Sequence, residues 1–247
     1  MENADSSTAR FDGRALDALR DISFQMDIAP AAKGSALIRV GRTSVLCGVS
    51  VEPKVPRWMQ AQKIGGGWLT GEYSMLPYAT SDRSSRESSL GKVGGRTQEI
   101  QRLIGRSLRA VVDLNALGAR TIWVDCDVLE ADGGTRTASI TGAYVALRQA
   151  VNRLLAEGVL ETDPIKEPVA AVSVGIVHGV PMLDLCYEED LAASVDMNVV
   201  VTGSGRYVEV QGTAEGEPYR RDELDAMLAL ADQGIAELVD AQTRALT

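Results

Sequence analysis

The sequence predicts an α+β fold. Segments of period-two or continuous Val/Ile/Leu character alternate with segments of helical period. Their order is strands, helix, strand, helix, strands, helix, which suggests two similar halves meeting near residue 120. Apolar residues make up 45% of the 247, enough for the core of one large domain. We therefore expect a single domain over residues 1–247, behind a polar, mobile leader at 1–12.

Taken in order, Ile22–Ile28, Ser35–Val40 and Thr43–Val51 read as strands split by Gly34 and Gly41-Arg42. Residues 53–95 read as long and irregular, with Gly65-Gly66-Gly67, Pro77 and a Ser/Arg stretch from Ser81 to Ser89. From Thr97, the residues Ile100, Leu103, Ile104, Leu108, Val111 and Val112 recur at helical spacing, and Gly118 is the expected stop. Arg102, Arg106 and Arg109 share one face of that helix. In Thr121–Val128, Ile122, Val124, Cys126 and Val128 point one way, and Trp123, Asp125 and Asp127 the other. A helix follows to about Glu157. Val169–Val177, Met182–Leu185, Val195–Val201 and Arg206–Gln211 are strands, and Asp222–Thr243 is the closing helix.

The chain carries 25 basic and 34 acidic side chains, a formal charge of −9. The charge is not evenly spread. Residues 1–136 hold 18 basic and 16 acidic groups, residues 137–247 only 7 and 18. Twenty of the 25 cations are Arg, whose planar fork matches phosphate oxygens in pairs. Between Asp82 and Arg109 stand seven cations and three anions. Such a chain can bind a polyanion locally, and the same pattern also fits an Arg-rich helix face paired with Glu and Asp.

Several classes are disfavoured. Cys47, Cys126 and Cys186 are odd in number and form no CxxC, which suggests a reducing, cytoplasmic setting. His178 is the only histidine, and it reads as a surface residue at a strand end. That disfavours Cys/His zinc sites and histidine-based triads. The first residues are too polar for a signal peptide, and no apolar run approaches the ~20 residues of a membrane span.

Three segments could carry chemistry. Asp132-Gly133-Gly134-Thr135-Arg136-Thr137 joins a strand to a helix, so free N–H groups meet a hydroxyl and a guanidinium. It lacks the Gly-Lys-Ser/Thr ending of a phosphate-loop kinase, and a tight turn with a capped helix would explain it equally. Gly94-Gly95-Arg96-Thr97 opens the earlier helix in the same manner, and a cation is disfavoured there unless it serves an anion. Asp184, Glu188, Glu189, Asp190 and Asp196 form a carboxylate cluster with no cation near in sequence. It reads either as a solvated loop or as an oxygen site for Mg²⁺ or Mn²⁺.

Together these segments resemble the ribonuclease PH family. The likeness lies in Glu72–Pro77, Gly95–Arg106, Asp125–Val128, Asp132–Gly142, Asp196–Val199 and Gln211–Gly216, and it runs from about Asp12 to Ala241. It implies duplicated β-α-β type halves with mixed sheets and packed helices. It implies a phosphorolytic 3′-to-5′ exoribonuclease that trims tRNA precursors beyond the CCA end and releases nucleoside diphosphates, with a part in rRNA 3′ processing. By the same likeness Arg96, Gly134, Thr135 and Arg136 bind phosphate, the co-substrate. Asp190 and Asp196 hold Mg²⁺ or Mn²⁺, and Arg83 and Arg86 serve tRNA binding and subunit contact. Tyr78 departs from the pattern, standing where a further arginine is expected. A homohexamer, a trimer of dimers, is implied too. Rival readings are a non-catalytic RNA-binding ring subunit, which would lack part of this set, and a metal-dependent hydrolase, which would need no phosphate.

Overall fold

The computed structural model describes residues 10–247. Most of the expected leader lies outside them. Of its last three residues, Arg10 is not part of a mobile leader: it is 4% exposed and bonded into the second half.

Strands β1 (Ile22–Met26), β2 (Gly34–Val40) and β3 (Thr43–Glu52) form an antiparallel meander, and β5 (Thr121–Glu130) pairs antiparallel with β3. Between β3 and β5 the chain is more ordered than expected. It forms a short helix α1 (Arg57–Gln62), strand β4 (Trp68–Met75), a 3-10 turn (Glu87–Leu90) and helix α2 (Gly95–Ala110). β4 runs parallel to β5 at the edge, so the first sheet has the order β1-β2-β3-β5-β4. Gly71 hid this strand, because glycine weakens strand character. Here it is required: a Cβ would lie 2.7 Å from Ile104 Cγ2 of α2. α2 ends at Ala110, short of Gly118, which instead takes a left-handed turn before β5.

Helix α3 (Thr135–Ala156) lies between the two sheets and is buried on nearly all sides, as its small residues allow. At Gly142 a Cβ would come within 2.6 Å of Ile38 Cγ2, so glycine sets how closely helix and sheet approach. Cys47 and Cys126, remote in sequence, are cross-strand neighbours under this helix. Both thiols contact the Ser139 carbonyl at 3.8 Å.

The second sheet is antiparallel, in the order β7-β6-β8-β9, from β6 (Val169–Val177), β7 (Val180–Leu183), β8 (Ala193–Thr202) and β9 (Tyr207–Ala214). The change of sheet falls after α3, later than residue 120. His178-Gly179 forms the β6–β7 turn, with φ of +51° and +79°, and His178 is exposed as expected. A short helix α4 (Tyr187–Ala192) precedes β8, and α5 (Arg221–Leu246) covers the sheet with Met227, Ala231, Ile235 and Leu238. Buried Gln242 donates to the carbonyls of Thr141 and Val169, both at 3.0 Å, which ties α5 to α3 and β6.

All three tryptophans gather where α1, β4 and β5 meet. Trp58 stands edge-on to Trp68 at 5.1 Å, Arg109 lies over Trp68 at 4.6 Å, and Trp123 lines the same groove.

Candidate active site

The starts of α2 and α3 and the region from α4 into β8 face one cleft of 780 Å³. Arg96, Gly134, Thr135, Arg136, Asp190 and Asp196 all line it, together with Arg42, Asp132, Ser173 and Asn198. Six residues singled out from sequence are thus brought together from four elements of both halves. Arg83 and Arg86 are exposed and lie outside its wall, on the segment that continues from the cleft-lining residues Thr80, Ser81 and Asp82.

The two helix starts are built alike. Arg96 and Arg136 are each the second residue of their helix, after a glycine N-cap that can offer no side-chain oxygen. The first-turn N–H groups therefore have neither an intrahelical nor an N-cap acceptor. Gly133 and Gly134 are both left-handed, with φ of +74° and +66°. This turn is held from below. Thr43 Oγ1 donates to the Gly133 carbonyl at 2.6 Å and accepts from the Asp132 N–H at 2.9 Å. The Thr135 hydroxyl shares a 2.9 Å hydrogen bond with Tyr73. Arg136 donates to Gln211 at 2.7 Å and lies 3.4 Å from Glu99, while Arg96 stands 6.0 Å from the Tyr73 ring centre.

The acidic cluster divides in two. Asp184 and Glu189 do not face the cleft as part of an uncompensated group: Arg20 grips Asp184 and Arg10 grips Glu189, at 2.7 and 2.6 Å. Those cations come from residues far away in the chain, so sequence proximity could not show them. Burial alone would raise the Glu189 carboxyl, but bonds from Arg10 and the Cys186 N–H hold it below the ordinary range. Asp190 goes the opposite way. Burial and then the neighbouring Asp196 charge push it up, against the pull of Arg136 and Arg96.

Asp190 and Asp196 thus leave a pair of mutually repelling carboxylates facing two arginines. Among the described residues no group of three or more His, Cys, Asp or Glu side chains could enclose a metal. An oxygen-only pair fits a hard divalent cation that keeps waters and shares its remaining positions with phosphate oxygens. Sequence reasoning overlooked Arg42, Ser173 and the supporting Arg20 and Thr43. A buried Ser173 in an otherwise apolar strand was the one available signal.

The description "3′ exoribonuclease family" fits the chain twice, domain 1 over residues 18–151 and domain 2 over 167–234. Ribonuclease PH of Bacillus subtilis is 56% identical over 239 residues, 96% of each chain. Ribonuclease PH of Parasynechococcus marenigrum is 56% identical over 237 residues, 96% of this chain and 94% of that one. Two solved structures share the fold. Rice Rrp46 has a TM-score of 0.78 at 18% identity, covering 96% of this chain and all of that one. An Archaeoglobus fulgidus exosome with RNA bound to the active site has a TM-score of 0.79 at 22% identity, covering 94% and 91%. With the family models spanning both halves and such relatives matching nearly end to end, this chain belongs to the ribonuclease PH family of 3′ exoribonucleases.

Proposed function

We propose that Arg96, Arg136, Thr135 and the Gly134 N–H hold the attacking inorganic phosphate, and that Asp190 and Asp196 face the RNA end that it cleaves. The chain is a phosphate-dependent 3′ exoribonuclease of tRNA processing. Its reaction takes tRNA of n+1 residues and phosphate to tRNA of n residues and a nucleoside diphosphate. One observation supports these roles above the others: two arginines at helix starts and two carboxylates line the same cleft.

The chemistry needs no base. Phosphate is already an anion near neutral pH, so the sole histidine can sit on a distant turn. The difficulty is to bring two anions into line, and that calls for positioning and charge neutralisation. Arg136, at the positive end of α3, would take two phosphate oxygens with its fork in exchange for Gln211. Arg96 would approach from α2. The buried Tyr73 bond orients the Thr135 hydroxyl. A divalent cation on Asp190 and Asp196 would offset charge on the scissile phosphate and the departing 3′ oxygen. Arg83 and Arg86, exposed on the loop leading from the cleft, would contact the RNA.

We further place the enzyme in the cytoplasm, as a homohexamer built as a trimer of dimers. The three cysteines, all free, suit a reducing compartment, and no described helix could cross a membrane. Light scattering at working concentration would return the mass of six chains, and a monomer would refute the assembly.

The function is tested by incubating a 3′-extended tRNA with and without phosphate. Nucleoside diphosphate released only with phosphate is expected. Monophosphate formed without it would establish a hydrolase instead. RNA binding should fall steeply with salt, because phosphate contacts release counterions.

A further inference from the structure

We propose that Arg20 is a positioning residue that holds the phosphate turn of the first half against the root of α4 in the second. The inference rests on the reading that Gly134–Arg136 bind phosphate. Arg20 lies outside the cleft wall and is only 6% exposed.

Its guanidinium spans two halves of the molecule. Toward the second half, Nε and Nη2 donate to the two oxygens of Asp184 at 2.9 and 2.7 Å, and its backbone N–H adds a third bond at 2.8 Å. Toward the first half, Nη1 donates to the Asp132 carbonyl at 2.5 Å, and Nη2 reaches the Gly133 carbonyl at 3.5 Å. Those carbonyls belong to the turn whose next three residues form the proposed phosphate site. Asp184 is itself left-handed, with φ of +54°, uncommon for a residue other than glycine. Three donors from one residue keep its carboxylate there, two positions ahead of the α4 N-cap Cys186.

Among the described residues no other cation donates to this turn. Thr43 clamps the same Gly133 carbonyl from β3, but it makes no bond to the second half. Around Gly134 the fit is close: a Cβ there would lie 3.0 Å from Arg20 Nη2. A lysine could keep the charge opposite Asp184, but a single ammonium cannot hold both carboxylate oxygens and two carbonyls at once. A turn freed by a fraction of an ångström would misplace the N–H groups and Arg136, while Arg83 and Arg86, on a segment to which Arg20 makes no bond, keep their place.

Arg20→Lys is the test, with steady-state kinetics in which phosphate and RNA are varied separately. KM for phosphate should rise about tenfold or more while KM for RNA stays within about twofold. Amide exchange provides a second readout. Inorganic phosphate alone should slow exchange at residues 134–137 in the wild type and much less in Arg20→Lys. Thr43→Val, which loosens the same turn in a milder way, should shift phosphate KM in the same direction and covers the case in which Arg20→Lys misfolds. Unchanged phosphate KM in a folded Arg20→Lys, or a loss shared equally by both substrates, would overturn the proposal. Arg136→Ala separates the two readings. If it leaves phosphate KM unchanged, the phosphate site itself is wrong. If it raises KM and Arg20→Lys does not, only the role of Arg20 falls.

Discussion

Two sets of arginines and carboxylates, whose acidic members are close neighbours between Asp184 and Asp196, are used in opposite ways. In the buried set, Arg10 and Arg20 close on Glu189 and Asp184 at 2.6 and 2.7 Å, and every charge has a partner. In the cleft, Asp190 and Asp196 repel each other and face Arg96 and Arg136 without the same closure. Glu189 and Asp190 are adjacent in sequence, yet one is held below its ordinary pKa and the other above it. A closed buried ion pair is costly to break, and an unsatisfied pair is available for a ligand. The contrast separates scaffold from chemistry better than charge density does.

The comparison can be broken from the cleft side first. Arg136→Ala, and Arg96→Ala in turn, should lower kcat/KM for phosphate by about 100- to 1,000-fold with little change in thermal unfolding. Wild-type phosphorolysis in either would remove that arginine from the clamp. Asp196→Asn should demand at least about 10- to 100-fold more Mg²⁺ for half-maximal activity. It should also drop the Asp190 carboxyl toward its ordinary range, visible by NMR. An unchanged Mg²⁺ titration would end the metal role.

From the buried side, Arg10→Ala leaves Glu189 charged and enclosed, at a cost of about 3–5 kcal/mol in stability. The Glu189 contribution is present above its unfolded pKa and is lost as pH falls through the lower folded one. Wild-type and variant unfolding temperatures should therefore converge in acid, and a gap that persists there would contradict the pairing.

The smallest effect belongs to the open face of the first sheet. Burial and then Asp127 raise Asp125, and burial and then Asp125 raise Glu72. A raised carboxyl favours the protonated fold, so its penalty grows as pH rises from the unfolded to the folded pKa. Asp125→Asn should then raise the unfolding temperature slightly at pH 7 and not at all well below pH 4. Destabilisation at pH 7 would reverse that sign.

What could be read from sequence follows physical range. The alternation of β5, the helical spacing of α2 as far as Ala110 and the Gly-Gly-Thr-Arg start of α3 are local patterns, and they appear where expected. β4 was hidden because Gly71 answers to Ile104, a contact across a crossover connection. The split of the acidic cluster was hidden because Arg10 lies 179 residues from Glu189, and Arg20 164 from Asp184. Spacing can nominate carboxylates. Only the folded chain says which ones already have partners.

The gathering of Trp58, Trp68 and Trp123 has an optical consequence. The second sheet and α5 contain no tryptophan, so emission excited at the red edge of the indole band, where tyrosine does not absorb, comes entirely from the first half. Trp68 lies beneath the Arg109 guanidinium, and a nearby cation alters an indole's emission colour and yield. Heating followed by fluorescence would thus record the opening of β4 and β5, while far-ultraviolet dichroism at 222 nm would record α3 and α5. If the two traces separate, the halves melt as distinct cooperative units.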